Sequence, residues 1–236
     1  MRYAELPLPP QLAGLVAAVW TMSVEGEGGW AEHEAVPDGC IELIRRHSGR
    51  SVWRDEQPPL FAAGLALSPA KLAFSPDASF TGIKLWPWAW HALGGAPCPG
   101  FADRWTAIPE SSPLAALLPD AGDPIPRLLA ANLQPNPLGT AILASTSVGE
   151  IGARSGLPHR QLQRVFARDL GLTPRAYLRL RRFRGAMIEV QASAATLADA
   201  AAGQGYADQA HMAREFRSLA GVAPREARAR AKGPFL

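Results

Sequence analysis

The sequence predicts an α+β chain in two parts. The first is an N-terminal β-rich, barrel- or sandwich-like domain with a few helices, and the second is a C-terminal all-α domain with two helix-turn-helix units joined by a long linker helix. Three observations predict this. One is a repeat: GLPHRQLQRVFARDLGLTPRA (156–176) is nearly restated by GYADQAHMAREFRSLAGVAPRE (205–226), and an offset of 50 lays Leu162 on Met212, Arg164 on Arg214, Phe166 on Phe216, Gly171 on Gly221 and Pro174 on Pro224. A fixed-period repeat is one supersecondary unit used twice. Another is the charge split. Up to Leu138 there are nine Lys+Arg against 14 Asp+Glu, a net of −5, whereas the rest has 15 against seven, a net of +8, and 14 of those 15 cations are arginine. The third is composition: all seven tryptophans lie in the first half, among short apolar runs broken by proline and glycine.

In the first half, VPDGCIELI (Val36 to Ile44) reads as an Asp-Gly turn entering a strand, and FTGIKLW (Phe80 to Trp86) as another strand. WAWHALGG (Trp88 to Gly95) then reads as a short helix stopped by glycine. Many short strands with turns suggest a small barrel or sandwich. RLLAANL is the single helical run between Pro119 and Pro137. The boundary is placed near Pro137, giving domains 1–137 and 138–236, each expected to fold independently.

The second half is helical by period. Ser147 and Glu150 form a capping-box pattern for a short helix that ends at Gly156. A second helix from His159 to Leu170 puts Leu162, Val165, Phe166 and Leu170 on one face, with His159, Arg160, Gln163, Arg164 and Arg168 largely on the other. Gly171 ends it, and Thr173-Pro174 starts the linker helix, which runs to about Val190. Its Arg179, Arg181, Arg182 and Arg184 are read mainly as a solvated or phosphate-facing surface. LADAAAGQ then closes at Gly205, and Asp208 caps a helix with Met212, Phe216 and Leu219 inward and Gln209, Ala210, Ala213, Arg214 and Arg217 outward.

A short helix, a glycine turn and a second helix with an arginine/glutamine face is the pattern by which a recognition helix enters a DNA major groove. Arginine pairs bidentately with guanine, glutamine with adenine, and both reach phosphates. The candidate DNA-reading residues are Arg160, Gln163 and Arg164 in the first unit and Gln209, His211 and Arg214 in the second. Two units held about 34 Å apart would let one chain read two successive groove segments. The expected partner is double-stranded promoter DNA, with RNA polymerase a further candidate, and both monomer and homodimer remain open.

Other classes fare worse. Cys40 and Cys98 lie far apart in no metal or redox spacing, which fits a reduced, cytoplasmic location. No apolar run is long enough to span a membrane, and no secretory signal is expected. His33, His47 and His91 are scattered, and Glu32-His33-Glu34 does not complete a ligand set. Neither a catalytic constellation nor a phosphate-cradling glycine loop is present, so no enzyme activity, metal or cofactor is expected. Trp86, Trp88 and Trp90, with Glu42 and His91 as polar anchors, either line an effector pocket or are simply core. The competing reading is a small-molecule-binding protein or barrel-type enzyme whose helical tail is a scaffold.

The run from Ser147 through L-Q-R-V-F (Leu162 to Phe166) to Pro174, the linker R-F-R-G-A (Arg182 to Ala186) and G-Y-A-D-Q-A-H-M-A-R-E-F (Gly205 to Phe216) resembles the AraC/XylS family of bacterial transcription regulators over roughly residues 138–230. Departures are Gly152 for the usual alanine, Pro158 and Ala223 at cap positions, and Gly185, which interrupts the linker helix. The opening L-P-L-P-P (Leu6 to Pro10), P-D-G-C-I-E-L-I (Pro37 to Ile44) and the Trp86–Gly95 stretch resemble an uncharacterised N-terminal domain often joined to such tails. The resemblance implies a sequence-specific regulator with a β-rich sensing or dimerising half.

Overall fold

A computed structural model describes residues 1–25, 28–192 and 196–229. The strands are β1 (Arg2–Glu5), β2 (Val16–Ser23), β3 (Ala31–Ala35), β4 (Ile41–Ser48), β5 (Ser51–Trp53), β6 (Asp55–Glu56), β7 (Leu60–Ala63), β8 (Ala70–Phe74), β9 (Ser79–Leu85) and β10 (Trp105–Ala107). They form a six-stranded sheet, β1-β2-β9-β4-β7-β10, and a four-stranded one, β3-β8-β5-β6. Among the described residues no sheet closes on itself, so the architecture is an open two-sheet sandwich rather than a barrel.

The large sheet is buried on both faces, and the strand period of two sorts its side chains. Val19, Ile41, Leu43, Ala62, Ile83 and Leu85 join a core on the helical side. Their neighbours Trp20, Ile44, Phe61, Ala63 and Phe80 pack against Trp53, Leu72 and Phe74 of the small sheet. This explains why the central strands read as continuous apolar runs. The run at Val36 is a strand only from Ile41; the residues before it form a loop with Gly39 at φ +77°.

A charged cluster lies buried among these residues. Register pairs Glu42 with Lys84 across β4 and β9. The Lys84 Nζ sits 2.6 Å from Asp38 Oδ2 and 3.2 Å from Glu42 Oε1, with its side chain fully buried. Burial pushes the Glu42 carboxyl up from its ordinary 4.5 to about 7, against the pull of Lys84 and with repulsion from Asp38 added. Folded Glu42 therefore keeps a proton that the unfolded chain releases, and stability falls as pH rises from about 4.5 to about 7. Glu42→Gln is expected to flatten thermal stability across that window; an unchanged slope in pH-resolved melts would show that Glu42 is not its source.

The helices are α1 (Pro87–Ala92), α2 (Ile125–Ala130), α3 (Pro137–Leu143), α4 (Val148–Ser155), α5 (His159–Leu170), α6 (Pro174–Ala192), α7 (Leu197–Gly203), α8 (Gln209–Ala220) and α9 (Pro224–Ala229). Gly156, Gly171 and Gly221 cap α4, α5 and α8 in the left-handed conformation. Ser147 caps α4 as expected, but Glu150 reaches one residue further back, accepting from the Thr146 N–H at 3.0 Å. A complete capping box instead opens α7, through Thr196 and Asp199. Ala223 carries no capping hydroxyl, yet Glu226 still accepts from its N–H at 2.8 Å.

Gly185 does not interrupt α6, which is continuous from Pro174 to Ala192. A Cβ there would collide with the end of the Gln204 side chain, so this glycine is where α7's C-terminal end approaches the linker helix.

One apolar core runs across the two halves. Leu162, Phe166 and Tyr177 join the cluster that contains Ile41, Leu43, Trp86 and Trp88. The Tyr177 hydroxyl donates to Gly39 O at 2.9 Å, and Arg184 stacks on Trp86 at 5.1 Å. Val36 packs with Phe183, Met187 and Phe216, so the second helical unit also touches the β-rich half.

Candidate nucleic-acid interface

Both second helices are strongly two-faced. In α5, Leu162, Phe166 and Leu170 are buried, while Arg160 and Arg164, one turn apart, are exposed. In α8, Met212, Phe216 and Leu219 are buried while Gln209 and Arg214 are exposed. Among the described residues, no hydrogen bond or ion pair occupies Arg160, Arg164, Gln209 or Arg214. The repeat-equivalent pair Arg164 and Arg214 thus presents two open guanidinium forks at matching points of matching helices.

Two of the six candidates sit differently. Gln163 is half-buried on the flank of α5, whereas Gln161 is exposed and shares the accessible face with Arg160 and Arg164. Gln161 was not among the candidates, although the offset of 50 places it on His211. His211 is engaged with its own unit: Nδ1 accepts from the Ala207 N–H at 3.4 Å, its ring meets Tyr206 edge-on at 5.2 Å, and Nε2 lies 3.9 Å from Glu215 Oε1.

The linker arginines are not a solvated surface. Glu215, a buried residue of α8, takes Arg179 Nε at 3.1 Å and Arg182 Nη2 at 2.8 Å, and Arg179 also reaches Ser218 Oγ. Arg181 donates to the carbonyls of Ile142, of Leu143 at 2.9 Å and of Ser145 at 3.3 Å, closing the C-terminal end of α3. With Arg184 on Trp86, all four hold the fold together. They lock α6 to α8 on one side and to α3 on the other, which sets the pose of the recognition helices. Arg154, Arg175 and Arg225, outside the candidate set, are also exposed and make no hydrogen bond or close ion pair among the described residues, although Arg154 lowers the Glu150 carboxyl by its charge.

The effector candidates are divided. Trp86 and Trp88 stack at 5.6 Å and 7°. Trp88 Nε1 donates to Gly14 O, and fully buried Trp90 donates to Ala96 O. Glu42 lines a narrow space between the two sheets, with Asp38, Cys40 and Gln57. Trp88 and His91 instead line a cavity between α1, α3 and α5. His91 Nε2 donates to Asp169 O at 3.0 Å, tying α1 to the end of the first recognition helix.

Among the described residues, no group of three His, Cys, Asp or Glu could hold a metal, and no helix is long and apolar enough to cross a membrane.

Paired two-faced helices, glycine-turned and rigidly joined, define a double helix-turn-helix DNA-binding protein. A family described as "Helix-turn-helix domain" matches residues 151–230, and one described as "Domain of unknown function (DUF6597)" matches residues 4–106. No curated protein matches. Among solved structures, ToxT from Vibrio cholerae is similar at a TM-score of 0.51 and 9% identity, over 87% of this chain and 100% of that one. A probable AraC family transcriptional regulator from Rhodopseudomonas palustris matches at 25% identity and a TM-score of 0.36, over 41% of this chain and 95% of its own. The chain is a DNA-binding transcriptional regulator whose C-terminal double helix-turn-helix domain is of the AraC type.

Proposed function

We propose that one chain reads two successive major-groove segments of promoter DNA, with α5 in one and α8 in the next. The observation that supports this most is a contrast among arginines: those of the linker are committed to the fold, whereas Arg164 and Arg214 at equivalent positions are exposed and unpaired. Arg160 and Gln209 complete the reading set. Gln163 contacts the groove wall from the flank of α5, and His211 orients the start of α8 while facing the duplex. Residues 1–137 form the regulatory half, acting through the core they share with Leu162, Phe166 and Tyr177. The reading also places the chain in the bacterial cytoplasm, acting on RNA polymerase at promoters, with no enzymatic activity of its own.

The charge contacts bound the salt response. Arg154, Arg160, Arg164 and Arg175 in the first unit, and Arg214, Arg217 and Arg225 in the second, are exposed and make no hydrogen bond or close ion pair among the described residues. If these seven and no other cations meet phosphates, log K against log salt falls with a slope of about −6. Fluorescence anisotropy of a labelled promoter fragment, titrated with the full chain at several salt concentrations, measures it. A slope near zero would defeat the reading.

A further inference from the structure

The two reading helices share a frame but not a chemistry. At the offset of 50, Arg164 meets Arg214, Arg160 meets Ala210 and Gln163 meets Ala213. Exposure agrees within each pair. Arg160, Ala210, Arg164 and Arg214 are exposed, and Gln163 and Ala213 are half-buried on the flank. So α8 presents the same surface positions as α5, with methyl groups where α5 carries a guanidinium and an amide. A further pair differs in another way. Gln161 is exposed, whereas the equivalent His211 is half-buried, with Nδ1 taken by the Ala207 N–H and Nε2 3.9 Å from Glu215 Oε1.

These differences decide which bases each helix can read. Four residues along a helix advance about 6 Å, close to two base steps of about 3.4 Å each. On α5, Arg160 and Arg164 therefore place two bidentate forks about two base pairs apart, and such forks select guanine. On α8 the same two positions hold Ala210 and Arg214, so one fork remains. A side chain of one carbon reaches neither a phosphate nor a base-edge nitrogen. Ala210 meets only what stands up into the groove, and the apolar group that does so is the thymine 5-methyl. Ala213, equally short, does not hold the helix off the bases. Gln209, exposed at the first position of α8, adds an amide of the kind that pairs with adenine. Both neighbours of the Arg214 fork thus favour A·T pairs.

We infer that the two halves of the DNA site differ in base chemistry: α5 selects guanine at two positions about two base pairs apart, whereas α8 selects guanine through Arg214 alone, beside A·T pairs, with Ala210 against a thymine methyl. Ala210 is thereby a specificity-determining residue, although it carries no polar atom. The inference rests on the DNA-reading function proposed above and names the DNA that this function takes. It also fixes the orientation of the chain on its site, because two unlike segments cannot exchange places.

The test begins with duplexes selected from random sequence by the full chain. In a selected duplex, replacing the thymine of the α8 segment by deoxyuridine removes the 5-methyl and nothing else. Affinity, read by fluorescence anisotropy, is expected to fall about fourfold, the worth of one buried methyl-sized group. The same replacement outside the two segments is expected to change nothing. Ala210→Gly is expected to bind the thymine and deoxyuridine duplexes equally. Ala210→Arg, which copies Arg160 onto an exposed helix position, is expected to move the preferred base there from thymine to guanine by about tenfold or more. Equal guanine selection in the two segments overturns the inference. So does indifference of the unaltered chain to deoxyuridine, a thymine preference that survives Ala210→Gly, or thymine still preferred by Ala210→Arg. A selection that yields no preferred sequence, or one segment only, would instead overturn the proposed function. The two failures are therefore distinguishable.

Discussion

Replacing Lys84 by methionine is expected to lower the unfolding free energy by about 3–5 kcal/mol at neutral pH, because it takes the main counter-charge from two buried carboxylates and leaves Asp38 only the weaker pull of Arg184. Lys84 is fully buried and is the cation nearest both Asp38 and Glu42. Burial alone would raise the Asp38 carboxyl, but Lys84, with Arg184 further off, brings it below its ordinary value. Without the lysine, burial dominates both acids and both prefer to be protonated. The deficit should therefore shrink as pH falls, since protonation removes the orphaned charge from the folded state. Urea unfolding at pH 8 and at pH 5 measures this, and the triple change Lys84→Met, Asp38→Asn and Glu42→Gln is expected to recover most of the loss. A deficit below about 1 kcal/mol at pH 8 would mean that water reaches the cluster and screens it. Because Gly39, between Asp38 and Cys40, accepts from Tyr177 on the linker helix, a variant that stays folded should also bind DNA less tightly.

Arg164→Ala and Arg214→Ala are each expected to cost about 1–3 kcal/mol of specific binding, the usual worth of a base-reading arginine. Selecting bound sites with each variant should show relaxed preference at positions about one helical turn apart, one position per arginine. If both relax the same position, the two helices do not read successive grooves. A uniform loss with unchanged preference would make the arginines phosphate contacts. Arg182→Ala provides the contrast. It removes a partner of buried Glu215 and should weaken the packing of α8 on the linker, with base preference at the α5 position untouched.

What could be read from the sequence was local or periodic. The repeat, the glycine stops, the Asp208 cap and the inward Leu162, Phe166, Met212 and Phe216 depend on residues within a few turns of one another, and the structure has them as read. The linker arginines were misread because their partners are tertiary. Glu215 lies 36 and 33 residues from Arg179 and Arg182, and nothing nearby in the chain signals the pairing. Gly185 looked like a helix breaker because propensity describes an isolated helix, whereas here α6 is packed on both sides and the Gln204 side chain lies where a side chain at 185 would stand. Gln161 was overlooked in favour of Gln163 although the repeat register marks it, since both lie near the polar face on a helical wheel and only burial separates them. The Glu42 and His91 pairing failed for a strand reason. Glu42 faces the space between the sheets, whereas α1 packs on the sheet's other side.

The most direct test of the account is to map the duplex contacts of a single bound chain. Methylation interference at guanine N7, on a site selected from random duplexes and at a stoichiometry of one chain per duplex, reports the major groove alone. The account predicts two clusters of interfering guanines about ten base pairs apart on one face of the duplex, the first lost in Arg164→Ala and the second in Arg214→Ala. A single cluster, or two that appear only when two chains are bound, would contradict it.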